Sequence, residues 1–292
     1  MELVGFASGS TRLASMLQVL GRTLDRGWRL IGTGLSFAVF GIGGFIIGLF
    51  AVVGLQLVIR DRARRAQVAR LIISRTFRGF TVFMSAVGVL RWSVEGASHW
   101  KRDQGCMVVA NHPTLIDVVF LLGLFEGADC VVKAGVITNP FWSMLVRTAD
   151  YISNEDLGAL LAETANRLKA GRTVILFPEG TRTVPGAPLS FGPVAGLVAV
   201  RTGCQLLPVV ITCTPPTLYK HLPWYRIPER RVDLRLRLCP GWSVALAEGK
   251  GTDQRRAARA LTRDLEAFFG RELGSATLAA TGRGVEPAGA AL

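Results

Sequence analysis

No charged side chain occurs between Leu30 and Ile59, and the run is strongly apolar throughout. It exceeds the roughly 20 residues of one spanning helix and falls short of the roughly 40 that two would need. Arg22, Arg26 and Arg29 precede it, and Arg60, Arg62, Arg64 and Arg65 follow. Positive charge is retained on the cytoplasmic side of a membrane, so basic flanks at both ends place both ends there. Gly41-Ile42-Gly43-Gly44 at the centre can turn without steric cost. The pattern therefore favours a re-entrant, membrane-embedded helical hairpin over a single tilted span. Upstream, Leu13, Met16, Leu17, Leu20 and Leu24 recur at helical spacing, with Arg12, Arg22 and Arg26 elsewhere around the helix. Such a stripe either lies in a membrane interface or packs on the chain's own core. The apolar segment starts too late, and lacks the small-residue site, expected of a cleaved signal peptide.

Residues 66 to 84 carry Val68, Leu71, Ile72, Phe80 and Phe83 with Arg75 and Arg78, the pattern of a basic amphipathic helix. From about residue 87 short β-type runs alternate with helical stretches, which predicts an α/β fold with a single mixed sheet. Strands are expected at 89–94, 106–110, 130–132, 173–177, 206–212 and 231–238. In the last of these, Val232, Leu234, Leu236 and Leu238 alternate with Asp233, Arg235 and Arg237, as in a half-exposed strand. Helices are expected over 117–125, from Thr138-Asn139-Pro140 to Arg147, from Asn154-Glu155-Asp156 to Gly171, over 194–201 and over 253–270. The chain thus divides into a membrane-associated segment (1–65), an α/β domain (66–273) and a tail (274–292) expected to be disordered.

Composition narrows the function classes. Half of the chain is apolar, with a mean hydropathy of +0.37, which points to membrane contact. A net charge of +13 suits nucleic acid or an anionic membrane surface. No zinc finger, RNA-recognition signature or helix-turn-helix pattern supports the former, so membrane lipids are the expected partner and nucleic acid is not. The five cysteines are odd in number and scattered, without a Cys-x-x-Cys or Cys/His cluster. That argues against a metal site or a disulfide framework and for buried thiols in a reducing compartment.

Two polar motifs each follow an apolar, strand-like run: Asn111-His112-Pro113-Thr114-Leu115-Ile116-Asp117 and Phe177-Pro178-Glu179-Gly180-Thr181-Arg182. Strand ends are where an α/β fold gathers chemistry. On one continuous helix His112 and Asp117 would be about 500° apart and would not share a face. Pro113 instead biases His112 to an extended conformation on the strand-to-helix loop. Asp117, in the first turn of the helix, can then reach back to orient the imidazole as a general base. The pair alone is weakly specific; a strand-end histidine beside a helix-start aspartate is its plainer reading. In the second motif Arg182 offers a planar cation for phosphate or carboxylate. Gly180 permits close backbone approach, and Glu179 can orient Arg182 or accept from a substrate hydroxyl. A merely structural Glu–Arg pair is the alternative.

Together these blocks resemble the lysophospholipid acyltransferase superfamily, 1-acylglycerol-3-phosphate acyltransferases above all. Asn111-His112 to Asp117 is similar to its first block, and Lys133 with Asn139-Pro140-Phe141 to Tyr151-Ile152 stands where its second lies. Phe177 to Arg182 matches the third, and Leu207-Pro208-Val209-Val210 the fourth. The resemblance covers about residues 87 to 240. It implies acyl transfer from acyl-CoA or acyl-carrier protein, as co-substrate, to a lipid hydroxyl, with neither metal nor cofactor. His112 would be the base and Asp117 its orienting partner. Asn111, Lys133, Glu179, Gly180, Thr181 and Arg182 would bind substrate. The wording is that of a bacterial branch, which implies the cytoplasmic face of a bacterial inner membrane. The family's second block often ends in an arginine that binds the acceptor phosphate. Here Tyr151-Ile152-Ser153-Asn154 has none, which leaves open a different acceptor such as a lyso amino-acid lipid. Rival readings are a thioester or lysolipid hydrolase, although no Gly-x-Ser-x-Gly elbow is present, and a non-catalytic membrane-binding protein.

Overall fold

The computed structural model describes residues 5–101, 104–133, 135, 143–244 and 252–280. The expected helix start at Thr138-Asn139-Pro140 lies outside the described residues.

The amino-terminal segment corrects the expectation of a turn at Gly41–Gly44. One continuous helix, α1 (Gly5–Val58), includes both the amphipathic stretch and the apolar run. At 1.5 Å per residue it is about 80 Å long. Each interior glycine costs about 1 kcal/mol relative to alanine. A break would instead leave up to four N–H and four C=O groups unpaired in an apolar setting, so the helix continues. The chain reverses at Ile59-Arg60-Asp61, where Asp61 caps α2 (Arg62–Ala86) by accepting from the Arg64 N–H at 2.7 Å. A hairpin therefore exists, but its second arm is α2, which is basic outside and buries Ala66, Ala69, Ile73, Phe77, Phe80 and Met84. Phe40 of α1 meets Phe77 and Phe80 with ring centroids 5.8 and 5.2 Å apart.

α1 is anchored by Arg29, only 2% exposed. Its guanidinium donates to the carbonyls of Pro228 and Glu229 at 2.8 and 2.9 Å and to Asp25 at 2.9 Å. Leu13, Met16, Leu17, Leu20 and Leu24 are all exposed, so their stripe does not pack on the core. Among the described residues α1 is the one helix long and apolar enough to cross a membrane, by length and composition alone.

The remainder is an eight-stranded mixed sheet among the described residues. Its strands are β1 (Leu90–Glu95), β2 (Cys106–Ala110), β3 (Asp129–Val132), β4 (Ile152–Ser153), β5 (Val174–Leu176), β6 (Gln205–Thr214), β7 (Val232–Leu238) and β8 (Trp242–Ser243). Their order is β1-β7-β6-β2-β5-β3-β4, with β8 beside β6. Strands β6, β2, β5, β3 and β4 run parallel; β7 is antiparallel to β6 and parallel to β1. Between them lie α3 (Asp117–Leu124), α4 (Ser143–Ala149), α5 (Leu157–Lys169), α6 (Val194–Thr202) and, after β8, α7 (Thr252–Ala280). Helix α7 extends over the first seven residues of the segment expected as a tail, and residues 281–292 lie outside the described residues.

Alternate residues of β2 point into two separate cores, as the period of a strand requires. Cys106, Val108 and Ala110 face α1, α2 and α3; Met107 and Val109 face α5, α6 and α7. In β7 the expected alternation is observed, with Val232, Leu234, Leu236 and Leu238 buried. At the amino-terminal edge of the sheet Asp129 is fully buried and meets Arg172, Arg70 and Arg167 at 2.6, 3.6 and 3.8 Å. This ion cluster ties α2 and α5 to β3 and β5.

Candidate active site

The parallel register sets Val109 of β2 beside Leu176 of β5, so both polar motifs leave the sheet side by side at its carboxyl edge. His112 sits on the loop after β2. Its Nδ1 hydrogen-bonds Asp117 Oδ2 at 2.8 Å, as the spacing across Pro113 predicts. Asp117 is the first residue of α3 and is fully buried. Thr114 donates to it twice, from its backbone N–H at 2.7 Å and from its hydroxyl. Burial pushes the Asp117 carboxyl above the ordinary range, against the His112 and Thr114 donors that favour its ionised form.

The second motif holds the first. Glu179 Oε1 accepts from the His112 N–H at 2.7 Å, and the Thr183 N–H donates to the His112 carbonyl at 2.9 Å. Phe177 stacks on the imidazole, with centroids 4.3 Å apart and planes at 24°. Backbone and ring of His112 are thus fixed from three sides. Desolvation raises Glu179 to about 7, opposed mainly by its bond to the His112 backbone. Gly180 has φ +63° and turns the chain tightly, its N–H donating to the Phe177 carbonyl at 3.1 Å. Arg182 is not an ion pair with Glu179 among the described residues. Its Nη1 donates instead to the carbonyls of Leu218 and Tyr219 at 2.9 and 3.4 Å. Leu218 also accepts from the Leu115 N–H at 3.0 Å, so the loop after β6 is tied to both polar motifs.

Of the expected substrate-binding residues, Glu179, Gly180, Thr181 and Arg182 lie beside His112, and Asn111 does not face outwards. Its buried carboxamide donates to the Ile211 carbonyl at 2.8 Å and accepts from the Ile211 N–H at 2.7 Å. It acts as an extra rung between β2 and β6. Lys133, exposed at the end of β3, stands two strands from β2, about 10 Å away by strand spacing. Thr114, Phe177 and Thr183 are parts of the site that sequence reasoning passed over. A signal did exist for the first, since Thr114-x-x-Asp117 has the form of a capping box.

Beside the catalytic loop an apolar cavity of about 380 Å³ runs between α1, α2 and α3. Its walls include Phe37, Phe77, Met84, Ile116, Leu218 and Trp224. Tyr151, where a family arginine is often found nearby, lines it too.

An acyltransferase family model matches residues 91–212, the stretch that carries both motifs and the strands beneath them. Residues 91–212 thus carry an acyltransferase domain. This chain is 30% identical over 128 residues to a chloroplastic 1-acyl-sn-glycerol-3-phosphate acyltransferase of Arabidopsis thaliana, covering 42% of this chain and 36% of that one. A 1-acyl-sn-glycerol-3-phosphate acyltransferase of Pseudomonas aeruginosa is 27% identical over 137 residues, covering 44% of this chain and 53% of its own. The chain thus spans between about a third and a half of the length of these relatives. The crystal structure of the 1-acyl-sn-glycerophosphate acyltransferase PlsC from Thermotoga maritima superposes with a TM-score of 0.60 at 24% identity. It covers 85% of this chain and 97% of that one, a likeness of fold that extends beyond the matched domain.

Proposed function

We propose that this acyltransferase moves a fatty acyl group from acyl-CoA or acyl-carrier protein to the hydroxyl of a lysophospholipid of the 1-acylglycerol-3-phosphate type. The reading rests above all on the His112–Asp117 pair, whose loop contributes Leu115 and Ile116 to the wall of an apolar cavity. Asp117 holds Nδ1 and leaves Nε2 for substrate. Nε2 takes the proton of the acceptor hydroxyl as its oxygen attacks the thioester carbonyl. The C–O bond forms, the C–S bond breaks, and the departing thiolate takes the proton from the imidazolium. Arg182 and Lys133 are the cations assigned to the acceptor phosphate, with Thr181 and Gly180 beside it, while Glu179 and Asn111 act by positioning His112 and β2.

Catalysis belongs at the cytoplasmic face of a bacterial inner membrane. Lifting a long acyl chain out of a bilayer costs about 0.8 kcal/mol per methylene. The exposed apolar stripe of α1 supports a seat in one leaflet that avoids this cost. The test is transfer by the full-length protein in lipid nanodiscs, with either donor, read by mass spectrometry. Diacylated lipid that disappears in His112→Ala is the expected result. Free fatty acid in place of acylated lipid would make the protein a hydrolase and overturn the reading.

A further inference from the structure

A second recess, of about 1,020 Å³, opens on the other side of the catalytic loop. It lies between the residues 183–189 loop, β6, β7 and the end of α7. Asn111 and Pro113 form its inner end, and Thr217, only 9% exposed, lines both this groove and the apolar cavity. The two recesses therefore share Thr217, one of them apolar and the other of mixed polarity.

The charges in the groove narrow its ligand. Glu95, Asp233 and Glu272 supply three carboxylates against two guanidinium groups. Both guanidinium groups are already engaged: Arg235 pairs with Asp233 at 2.7 Å, and Arg237 pairs with Glu272. No surplus of positive charge remains to draw in a phosphate. Hydroxyl groups of Thr183, Thr212, Thr214 and Ser275 line it among apolar side chains such as Leu189 and Val210. Thr183 Oγ1 is buried there with no hydrogen-bond partner among the described residues, a cost that a ligand amide would relieve. An uncharged chain rich in amides fits such a surface better than an anion does.

We infer that this groove holds the pantetheine arm of the thioester donor, leaving the apolar cavity for an acyl chain and placing the thioester at Thr217, beside His112. The inference rests on the proposed acyl transfer and deepens it. The arm is common to acyl-CoA and acyl-carrier protein, so the groove serves either source.

The experiment uses the full chain in nanodiscs with two groove variants: Ala276→Trp, which fills the rim, and Thr183→Val, which removes the hydroxyl at constant shape. The readout is the ratio of kcat/KM for acyl-pantetheine to that for the truncated acyl-N-acetylcysteamine, which lacks the distal amide. A fall of about tenfold in this ratio for Ala276→Trp and several-fold for Thr183→Val is expected, with acyl-CoA and acyl-carrier protein falling alike. A fall with only one of those two donors would assign the groove to the nucleotide or to the carrier protein instead. An unchanged ratio with a raised KM for the lysophospholipid would assign it to the acceptor. Either result overturns the inference while acyl transfer stands. If the unaltered protein transfers no acyl group, the proposed function fails instead. Binding of an S-alkyl pantetheine thioether by calorimetry then decides the groove alone: weakening by Ala276→Trp supports it, and no binding to the unaltered protein refutes it.

Discussion

Two aspartates, Asp117 and Asp129, are both fully buried at the ends of neighbouring elements, yet they sit on opposite edges of the sheet and do different work. Burial pushes both carboxyls above the ordinary range. Around Asp129 the compensation comes from Arg70, Arg167 and Arg172, charges that never leave. Around Asp117 it comes from two Thr114 donors and the imidazole of His112. A carboxylate among fixed cations is a fastener. A carboxylate bonded to a histidine ring is the arrangement that the proposed general base requires. The contrast supports the carboxyl edge as the place of the proposed chemistry.

Replacing the ring should break the comparison most sharply. His112→Ala removes the proton acceptor and should lower kcat/KM by about 10³- to 10⁴-fold. The midpoint of thermal unfolding should fall by only a few degrees, a cost set by the lost stacking on Phe177 and the lost partner of buried Asp117, so the kinetic loss far exceeds the loss of stability. Asp117→Asn keeps the shape and removes the charge, so a loss of about 10²-fold or more is expected, again in kcat. A variant of either residue with near-normal transfer would remove His112 from the role of base.

Asp129→Asn should show the reverse pattern. It leaves three guanidinium groups without their shared counter-charge, a loss of about 3–5 kcal/mol in stability. The folded fraction should keep its KM for both substrates. Denaturant unfolding alongside kinetics checks both halves, and a selective loss of turnover at unchanged stability would show the cluster to be more than a fastener.

How far each edge was legible in the sequence follows from the range of the interactions. His112 and Asp117 lie five positions apart across one proline, so local stereochemistry sufficed to bring them together. The strands and helices around them were equally local, and the alternation in β7 reads directly from Val232 to Leu238. Glu179 lies 67 positions from His112, and its grip on that backbone depends on β2 and β5 pairing, which no periodicity reports. For the same reason Arg182 was read as facing substrate or Glu179, when its first partners are carbonyls 36 and 37 residues further on. The bend after α1 was misplaced for another reason. Glycine marks where a helix can break, but the break came at Asp61, which supplies a cap for the basic arm that follows.

Glu179 stands between the two aspartates and offers the finest test. Its carboxyl rises from 4.5 to about 7 because it is largely desolvated and has no cation against it comparable to the arginines of Asp129. The native state therefore binds this proton more tightly than the unfolded chain does. Between about pH 4.5 and 7 stability should fall as pH rises, by at most about 3.4 kcal/mol in total at 1.36 kcal/mol per pH unit. Glu179→Gln retains an oxygen for the His112 N–H but cannot ionise. Its unfolding free energy should be flatter across that window, with the difference from the unaltered protein widening towards pH 8. Ionised Glu179 grips the His112 N–H more strongly than the protonated form does. The unaltered enzyme should accordingly gain activity towards pH 8 while losing stability, and the variant should lose a few-fold in kcat there. Denaturant unfolding at pH 5 and pH 8 reads the first effect and a pH–rate profile the second. Parallel slopes for the two proteins would mean that Glu179 titrates as an ordinary surface carboxyl, leaving Asp117, Phe177 and the Thr183 N–H as the main holds on His112.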